Sequence, residues 1–185
     1  MVTCTDFLKI KLKLFHQMTA IRDFNLFDLF RFNLTNLDPL TETYSMRFYM
    51  TYISKWPEYI RVCNNIGGNL VGYCIGKSEG IKNEWHGHVS VLTVTPNNRR
   101  IGIARQLLND FEYITNIKKA YFVDLFVRES NINAIKFYEN VGYSIYRRVI
   151  QYYRHSGKKE DAFDMRKCMD IDKNKKSLLC HKKTI

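Results

Sequence analysis

The amino-acid sequence predicts an α+β domain with a mixed, mostly antiparallel central sheet flanked by helices. One observation is a hairpin, since the strand-like runs Ile60–Cys63 and Leu70–Gly76 flank the loop Asn64–Asn69, which is rich in Asn and Gly. Another is a strand at Val89–Val94, an amphipathic helix and a strand at Ala120–Val127 in direct succession. Helices that stand between β segments in a mixed order are typical of the α+β class.

The other elements follow from local patterns. The strand at Val89–Val94 stops at Pro96, because proline cannot donate to a ladder. The helix after it is predicted by apolar residues at helical spacing: Leu107, Leu108, Phe111 and Ile114. Before the hairpin we predict a first strand from Met18, a helix over Asp28–Leu34, a helix over Met46–Ile53 and a turn at Trp56–Tyr59. The helix over Asp28–Leu34 has Asp23 or Asn25 as its cap and is followed by a break at Asp38–Leu40. Near the end of the domain we predict a helix over Asn131–Val141, with Gly142 at its end and Ala134, Phe137, Tyr138 and Val141 on one face, and a last strand over Arg147–Tyr153. We expect the polar chain from His155 to be partly disordered, apart from a short piece near Ala162–Cys168.

Composition bounds the function classes. A chain of 185 residues is expected to form one domain. Its net charge of +11 is spread along the chain and attracts polyanions such as CoA, ribosomal RNA or a carboxylate-rich substrate, without choosing among them. The five cysteines lack metal-ligand spacing, which indicates reduced thiols in a cytosolic protein. No apolar run approaches the ~18 residues of a membrane span.

Both ends of the chain differ from the predicted domain, which we place at residues 18–168. Residues 1–17 alternate apolar and basic side chains over Leu8–Leu14, a strand pattern too short and too charged for a signal peptide. We expect a disordered extension, or a start codon upstream of the true start at Met18. An arm that binds a membrane or a partner is the alternative. Residues 169–185 are predicted to form a basic tail.

The turn Arg99–Ala104 leads from the predicted strand into the helix. A helix N-terminus presents free backbone N–H groups and a partial positive charge. Gly102 has no Cβ to keep a ligand from the backbone, and Ala104 is small. Arg99 and Arg100 add positive charge, so the turn predicts a pyrophosphate cradle, with an ordinary basic turn as the alternative. Its spacing matches neither a P-loop nor the dinucleotide-binding fingerprint.

Arg-x-x-Gly-x-Ala after a strand resembles the acetyl-CoA loop of the GCN5-related N-acetyltransferase (GNAT) superfamily. Six segments, in order, are similar to the catalytic subunits of the NatB N-terminal acetyltransferase: Asp38–Tyr44, Trp56–Tyr59, Glu84–His88, Phe122–Arg128, Asn140–Ser144 and Tyr152–Tyr153. The likeness runs from about Thr19 to about Lys167. The resemblance implies the GNAT fold and transfer of acetyl from acetyl-CoA, by direct attack in a ternary complex, to the α-amino group of nascent chains that begin with Met-Asp, Met-Glu, Met-Asn or Met-Gln.

The resemblance also implies partners and cofactor contacts. The family acts in the cytoplasm, near ribosomes, with a large helical auxiliary subunit, and we expect no metal and no membrane association. The residues implied to hold acetyl-CoA are Leu92, Thr93, Val94, Arg99, Arg100, Ile101, Gly102, Ile103, Ala104 and Asn131. A β-bulge near Leu92–Val94 would expose the backbone N–H that stabilises the oxyanion. Asn131 is also compatible with a plain N-cap, and both roles can hold.

Two side chains are candidates for proton transfer. An α-amine has a pKa of about 7.7–8.0, so a good fraction is neutral in the cytosol and a modest base acting through water suffices. His88 is the candidate base, while a structural or substrate-reading imidazole fits its place equally well. Tyr138 matches the superfamily's usual tyrosine and is the candidate acid for the departing thiolate, although its spacing also suits a buried aromatic. His86 and His88 have metal-ligand spacing, but no third ligand is evident.

Recognition of the peptide is likewise implied by resemblance. The residues that would border it are Glu42, Tyr44, Phe126, Tyr152 and Tyr153, with His88 and Ser90 at the second side chain. A hydroxyl and an imidazole accommodate both a carboxylate and an amide. In the family the position of Ser90 is usually threonine, and loss of the methyl group would loosen selectivity slightly. Phe126 is also compatible with the core, and in a regular strand only one of the two tyrosines faces the site.

Two other function classes stay open at this point. An acetyltransferase for lysine or another small amine shares Arg99–Ala104 and Tyr138 but does not need Glu42–Tyr44 or the paired tyrosines. The net charge of +11 supports a basic module on the same fold that binds RNA or the ribosome without turnover, although a dispersed charge is usually a solvated surface. Arg99, Gly102 and Tyr138 together argue for catalysis instead.

Overall fold

The computed structural model describes residues 19–36, 41–155 and 158–179. The strands within these ranges are β1 (Thr19–Asp23), β2 (Arg61–Asn65), β3 (Leu70–Glu79), β4 (His86–Val94), β5 (Phe122–Arg128), β6 (Ser144–His155) and β7 (Lys158–Cys168). The α-helices within them are α1 (Asn33–Asn36), α2 (Met46–Lys55), α3 (Ile103–Ile117) and α4 (Ile132–Asn140).

The seven strands of the described residues form one sheet in the order β1-β2-β3-β4-β5-β7-β6. The pairs β1–β2, β2–β3, β5–β7 and β6–β7 are antiparallel. β4 and β5 are parallel and are connected through α3, which is the predicted strand–helix–strand unit. The predicted α+β class with a mixed, mostly antiparallel sheet is confirmed.

Helix α3 forms where the apolar spacing predicts it. Leu107, Leu108 and Phe111 are at most 1% exposed and Ile114 is 9% exposed, so one face of the helix is buried. The ring of Phe111 lies 4.7 Å from that of Tyr59, centroid to centroid. Burial of each large apolar side chain stabilises the fold by about 1.5–3 kcal/mol, so this face keeps α3 packed in the core.

The chain divides into two compact units, one with the residues up to Ile75 and Val91–Phe111, the other with Gly76–Ser90 and the residues from Glu112 onward. The first unit has a core that mixes aromatic and aliphatic side chains: Phe32, Tyr49, Tyr52, Ile60, Val62, Leu70, Tyr73, Ile75 and Val91. The second unit has a core between β5 and β7, where the residues at most 1% exposed include Phe122, Val123, Leu125, Ala162 and Met165.

The helix predicted over Asp28–Leu34 is mostly a 3-10 helix, Leu26–Arg31, which leads into α1. Of the two predicted caps, Asn25 is the one observed, because its side chain accepts from the N–H of Phe27 at 3.0 Å. The predicted break at residues 38–40 lies outside the described residues.

The prediction that Arg147–Tyr153 is the last strand is wrong. The chain after His155 is predicted to be ordered only near Ala162–Cys168, but it forms a full strand, β7, over Lys158–Cys168. β6 extends to His155, and β7 lies inside the sheet between β5 and β6. β7 is hidden in the sequence because its buried positions include charges: Asp164 is fully buried and accepts from Nε of Arg147 at 2.9 Å. A charged side chain at a buried position breaks the apolar alternation from which a strand is assigned.

The predictions for the ends of the chain fall largely outside the described residues, which begin at Thr19 and end at Leu179. The described part of the predicted basic tail contains a 3-10 helix at Lys176–Leu178. Over the described ranges, no helix combines the length and the hydropathy that a membrane crossing requires.

Candidate active site

The turn Arg99–Ala104 follows a 3-10 helix at Pro96–Asn98 and opens α3. Nε of Arg99 donates to the carbonyl of Val94 at 2.9 Å, which ties the turn to the end of β4. Arg100 has a φ of 66° and Gly102 a φ of 95°. A helix N-terminus beside a basic turn suits an anionic ligand, because the first N–H groups of a helix have no partner within it.

Gly72 of β3 brings a second strand close to this turn. A Cβ at Gly72 would lie 3.0 Å from the carbonyl of Thr93 and 3.3 Å from the side chain of Ile103. The hydroxyl of buried Thr93 lies 2.9 Å from that of Thr41. This close approach is not among the features predicted from the sequence. A glycine inside a predicted strand, such as Gly72, is nevertheless the pattern that indicates one.

The other predicted cofactor residues of this unit line the same segment. Leu92, Ile101 and Gly102 are half-buried, and Val94 and Ile103 are buried. Two of the predicted peptide residues, Glu42 and Tyr44, directly precede α2 in the chain. Glu42 is half-buried and Tyr44 is 37% exposed. The ring of Tyr44 stacks on Phe48 of α2 at 4.0 Å, which orients it.

In the second unit, β4 and β5 place His88 beside Asp124. The two are Cα partners in the parallel pairing, and Nδ1 of His88 lies 2.8 Å from Oδ1 of Asp124. Asp124 is 6% exposed. Ser90 follows His88 by two residues on β4, and both are half-buried. His86 follows the same alternation, so these three side chains of β4 lie on one face.

Phe126 of β5 contacts both predicted tyrosines. Its ring stacks on Tyr152 at 4.5 Å, and its carbonyl accepts from the hydroxyl of Tyr153 at 3.1 Å. The expectation that only one tyrosine can face the site assumed a regular strand. β6 instead has a register shift between Val149 and Tyr153, with Gln151 at a φ of 54°. This bulge explains why neighbouring tyrosines both reach Phe126.

Helix α4 places the last two predicted residues. Asn131 is its N-cap and accepts from the N–H of Ala134 at 3.2 Å, so the capping role is observed. Tyr138 is 9% exposed, with its ring 5.7 Å from Tyr143. Of the predicted apolar face, Tyr138 is buried, while Ile135, which the prediction omitted, is buried beside it. Gly142 ends the helix with a φ of 97°, as predicted.

Asp124 is the residue that the sequence did not single out. An aspartate in a buried strand has no local signal of a partner, because its partner comes from the pairing of two strands. His86 and His88 both lie near it, but the described residues contain no group of three or more His, Cys, Asp or Glu side chains that could hold a metal ion.

Comparison with known proteins assigns the family. The sequence model of the acetyltransferase (GNAT) family matches residues 25–143. The N-terminal acetyltransferase B complex catalytic subunit NAA20 of Arabidopsis thaliana is 53% identical over 169 residues, which cover 91% of this chain and 95% of the relative. The chain belongs to the acetyltransferase (GNAT) family.

This acetyltransferase is similar to further NatB catalytic subunits. The one of Schizosaccharomyces pombe is 51% identical over 164 residues, covering 87% of this chain and 91% of the relative. The crystal structure of Chaetomium thermophilum Naa20 in complex with a bisubstrate analogue matches with a TM-score of 0.81 at 42% identity, covering 85% of this chain and 90% of that one. The resemblance found in the sequence is confirmed: the chain is an N-terminal acetyltransferase of the NatB catalytic type, and its acetyl donor is acetyl-CoA.

Proposed function

We propose that the chain acetylates the α-amine of nascent chains that begin with Met followed by Asp, Glu, Asn or Gln. It acts in the cytoplasm, near ribosomes, and in complex with a large helical auxiliary subunit. The observation that carries the proposal is identity above 50% to NatB catalytic subunits over nearly their full length. In domain terms, residues 18–168 are the catalytic domain, with an N-terminal extension before it and a basic tail after it.

Arg99–Ala104 binds the pyrophosphate of acetyl-CoA. The left-handed φ of Arg100 and the positive φ of Gly102 support this role, because they leave backbone N–H groups open to an anion. The backbone at Leu92–Val94 contacts acetyl-CoA and donates an N–H to the oxyanion of the tetrahedral intermediate. Asn131 adds a contact on the cofactor side besides capping α4.

The reaction is a direct attack of the amine on the thioester carbonyl. His88 either takes the amine proton, through a water, or contacts the second side chain of the substrate. Tyr138 donates its proton to the departing thiolate. A phenol with an ordinary pKa of about 10 is protonated at neutral pH and can donate.

The peptide lies against aromatic and polar side chains: Glu42, Tyr44, Phe126, Tyr152 and Tyr153. The contacts of both tyrosines with Phe126 support a shared surface for the peptide backbone and the initiator Met. His88 and Ser90 lie on one face of β4, which supports their joint contact with the second side chain.

Acetyl transfer to a peptide panel tests the proposal. The panel contains Met-Asp, Met-Glu, Met-Asn, Met-Gln, Met-Leu and Ser-Glu peptides and an N-blocked lysine peptide, each with and without a co-expressed auxiliary subunit. We expect turnover confined to the first four peptides. Turnover of the blocked lysine peptide would contradict the peptide-site assignment. If no peptide of the panel causes release of CoA, a non-catalytic binding module is favoured.

A further inference from the structure

We propose that Asp124 is a positioning residue for His88. It holds the imidazole in one orientation and one tautomer, with the proton on Nδ1, so that Nε2 is the nitrogen available to the substrate. The inference rests on the proposed function, in which His88 contacts the substrate, and it deepens that function by assigning a residue that acts through His88.

The pairing of β4 with β5 creates the contact. Register places His88 opposite Asp124, and Nδ1 lies 2.8 Å from Oδ1. The Asp124 side chain is 8% exposed and the His88 side chain 14% exposed, so water competes little for the bond. Because an ionised carboxylate only accepts hydrogen bonds, Nδ1 must carry the proton. In the neutral ring Nε2 then keeps its lone pair.

A second contact restrains the ring. The His88 ring lies 5.7 Å from that of Phe126, inclined by 54°. Phe126 is itself stacked on Tyr152 and bonded through its carbonyl to Tyr153. The imidazole therefore sits between a carboxylate and an aromatic surface that we assign to the peptide, and its freedom to rotate or flip is small.

His86 is the other histidine near the same oxygen, but it is held elsewhere. Its Nδ1 donates to the carbonyl of Glu84 at 2.6 Å, and its ring stacks on Phe122 at 4.6 Å. Its Nε2 lies 3.7 Å from Oδ1 of Asp124 and 3.8 Å from Oε1 of Glu79, beyond hydrogen-bond distance. Asp124 thus binds His88 directly, and His86 serves as the matched control.

Either role of His88 depends on this arrangement. A base needs an unprotonated Nε2 that points in a fixed direction. A substrate reader needs a defined donor and acceptor, which only a fixed tautomer supplies. Removal of the carboxylate allows the proton to move to Nε2 and the ring to turn.

A double-mutant cycle on the complex, with a Met-Asp peptide, tests whether Asp124 acts through His88. We expect Asp124→Ala to lower kcat/KM for the peptide roughly tenfold or more. Asp124→Asn should lower it less, because the amide oxygen still accepts from Nδ1. The KM for acetyl-CoA should change less than about twofold in both variants. In a His88→Ala background both losses should disappear. In a His86→Ala background they should persist.

The tautomer itself is a readout independent of turnover. In long-range ¹H–¹⁵N spectra of the full chain labelled with ¹⁵N-histidine, assigned with His88→Gln, we expect the Nδ1–H form of His88 in the unsubstituted protein and in Asp124→Asn, and the Nε2–H form in Asp124→Ala. Asp124→Ala opens a cavity and can impair folding. Asp124→Asn, measured alone and combined with His88→Ala, is therefore the second test of the proposal.

The outcomes separate the two proposals. An Nε2–H tautomer of His88 in the unsubstituted protein would overturn the role of Asp124, as would losses of equal size with and without His88. If the panel shows no N-terminal acetylation, the proposed function fails, while the tautomer still decides whether Asp124 positions His88.

Discussion

At the scale of single residues, the shape of the turn Arg99–Ala104 depends on two unusual backbone conformations. Arg100 and Gly102 both have positive φ values, 66° and 95°. A non-glycine residue at such a φ is strained by about 1–3 kcal/mol and keeps this conformation only where its surroundings impose it. The bond from Arg99 to the carbonyl of Val94 is one such restraint. The turn is therefore preorganised before a ligand arrives.

Replacing Gly102 with Ala should lower the free energy of unfolding by about 1–3 kcal/mol, because an L side chain is strained at its φ. It should also raise the KM for acetyl-CoA, because the new methyl group lies at the cradle. Thermal unfolding and steady-state kinetics measure the two effects. Gly67→Ala is the control, since its Cβ would meet Asn65 and Asn69 only at 3.4 and 3.5 Å. Equal effects of the two substitutions would contradict the assignment.

Replacing Tyr138 with Phe removes the proposed acid while keeping the buried ring. We expect kcat to fall roughly a hundredfold and the KM for acetyl-CoA to stay within about twofold, since general acid catalysis contributes on that order. Tyr113→Phe on α3, where the tyrosine is 67% exposed, is the control and should leave kcat unchanged. Near-normal turnover of the Tyr138 variant would leave it a structural aromatic.

At the scale of elements, the bulge in β6 sets the geometry of the paired tyrosines. Val149 pairs with Ala162 and Tyr153 with Glu160, so three residues of β6 face the single residue between them, Asp161. The carboxylate of Asp161 accepts from the N–H of Gln151 at 2.8 Å and fixes the bulge. Arg128 then packs over the ring of Tyr153 at 4.2 Å.

Gln151→Val should lower the free energy of unfolding by about 1–2 kcal/mol, because a β-branched side chain is strained at a left-handed φ. The KM for the peptide should rise while the KM for acetyl-CoA changes little, because the displaced tyrosines border only the peptide. Urea unfolding and kinetics test this. Gln151→Gly, which adopts the same φ without strain, should keep both values. If the valine variant behaves like the glycine variant, the bulge does not control the tyrosines.

The 3-10 helix at Leu26–Arg31 is anchored by Asp28, which accepts from Arg22 through both oxygens at 2.7 Å and from the N–H of Asn25 at 2.8 Å. Burial acts to raise the pKa of Asp28, but the hydrogen bonds from Arg22 and Asn25 outweigh it and lower the pKa below its usual range. A carboxylate with a lowered pKa stabilises the fold above its unfolded pKa of about 4, and that stability is lost as pH falls through the folded value.

Asp28→Asn should therefore cost about 2 kcal/mol at neutral pH, where hydrogen bonds to a charged group are lost. The difference between the variant and the unsubstituted protein should shrink as pH falls below about 4. Chemical denaturation at several pH values measures it. A difference that does not depend on pH would show that shape, and not charge, is what Asp28 supplies.

At the scale of the whole molecule, the net charge of +11 acts on association more than on the fold. Its effect depends on ionic strength, because screening shortens the reach of charges from about 10 Å at 0.1 M salt to about 3 Å at 1 M. Acidic substrates gain most from such a surface.

The KM for a Met-Asp peptide should therefore rise with salt more steeply than that for a Met-Asn peptide of otherwise equal sequence. Between about 0.05 M and about 0.5 M salt we expect roughly a threefold difference in the two responses, as for one partly screened charge pair. Parallel salt responses would place the discrimination of the second residue in short-range hydrogen bonds alone.

The sequence by itself determined the features whose cause is local. The strand into Pro96, the apolar face of α3, the turn with Gly102, the cap at Asn131 and the family motifs are all legible along the chain, because each depends on neighbours a few residues away. Only the tertiary structure decided the rest. β7 enters the sheet through buried charges, the β6 bulge aligns two adjacent tyrosines, and β4 with β5 brings Asp124 to His88. These features depend on register between strands that are distant in sequence, and register is set by packing rather than by local pattern.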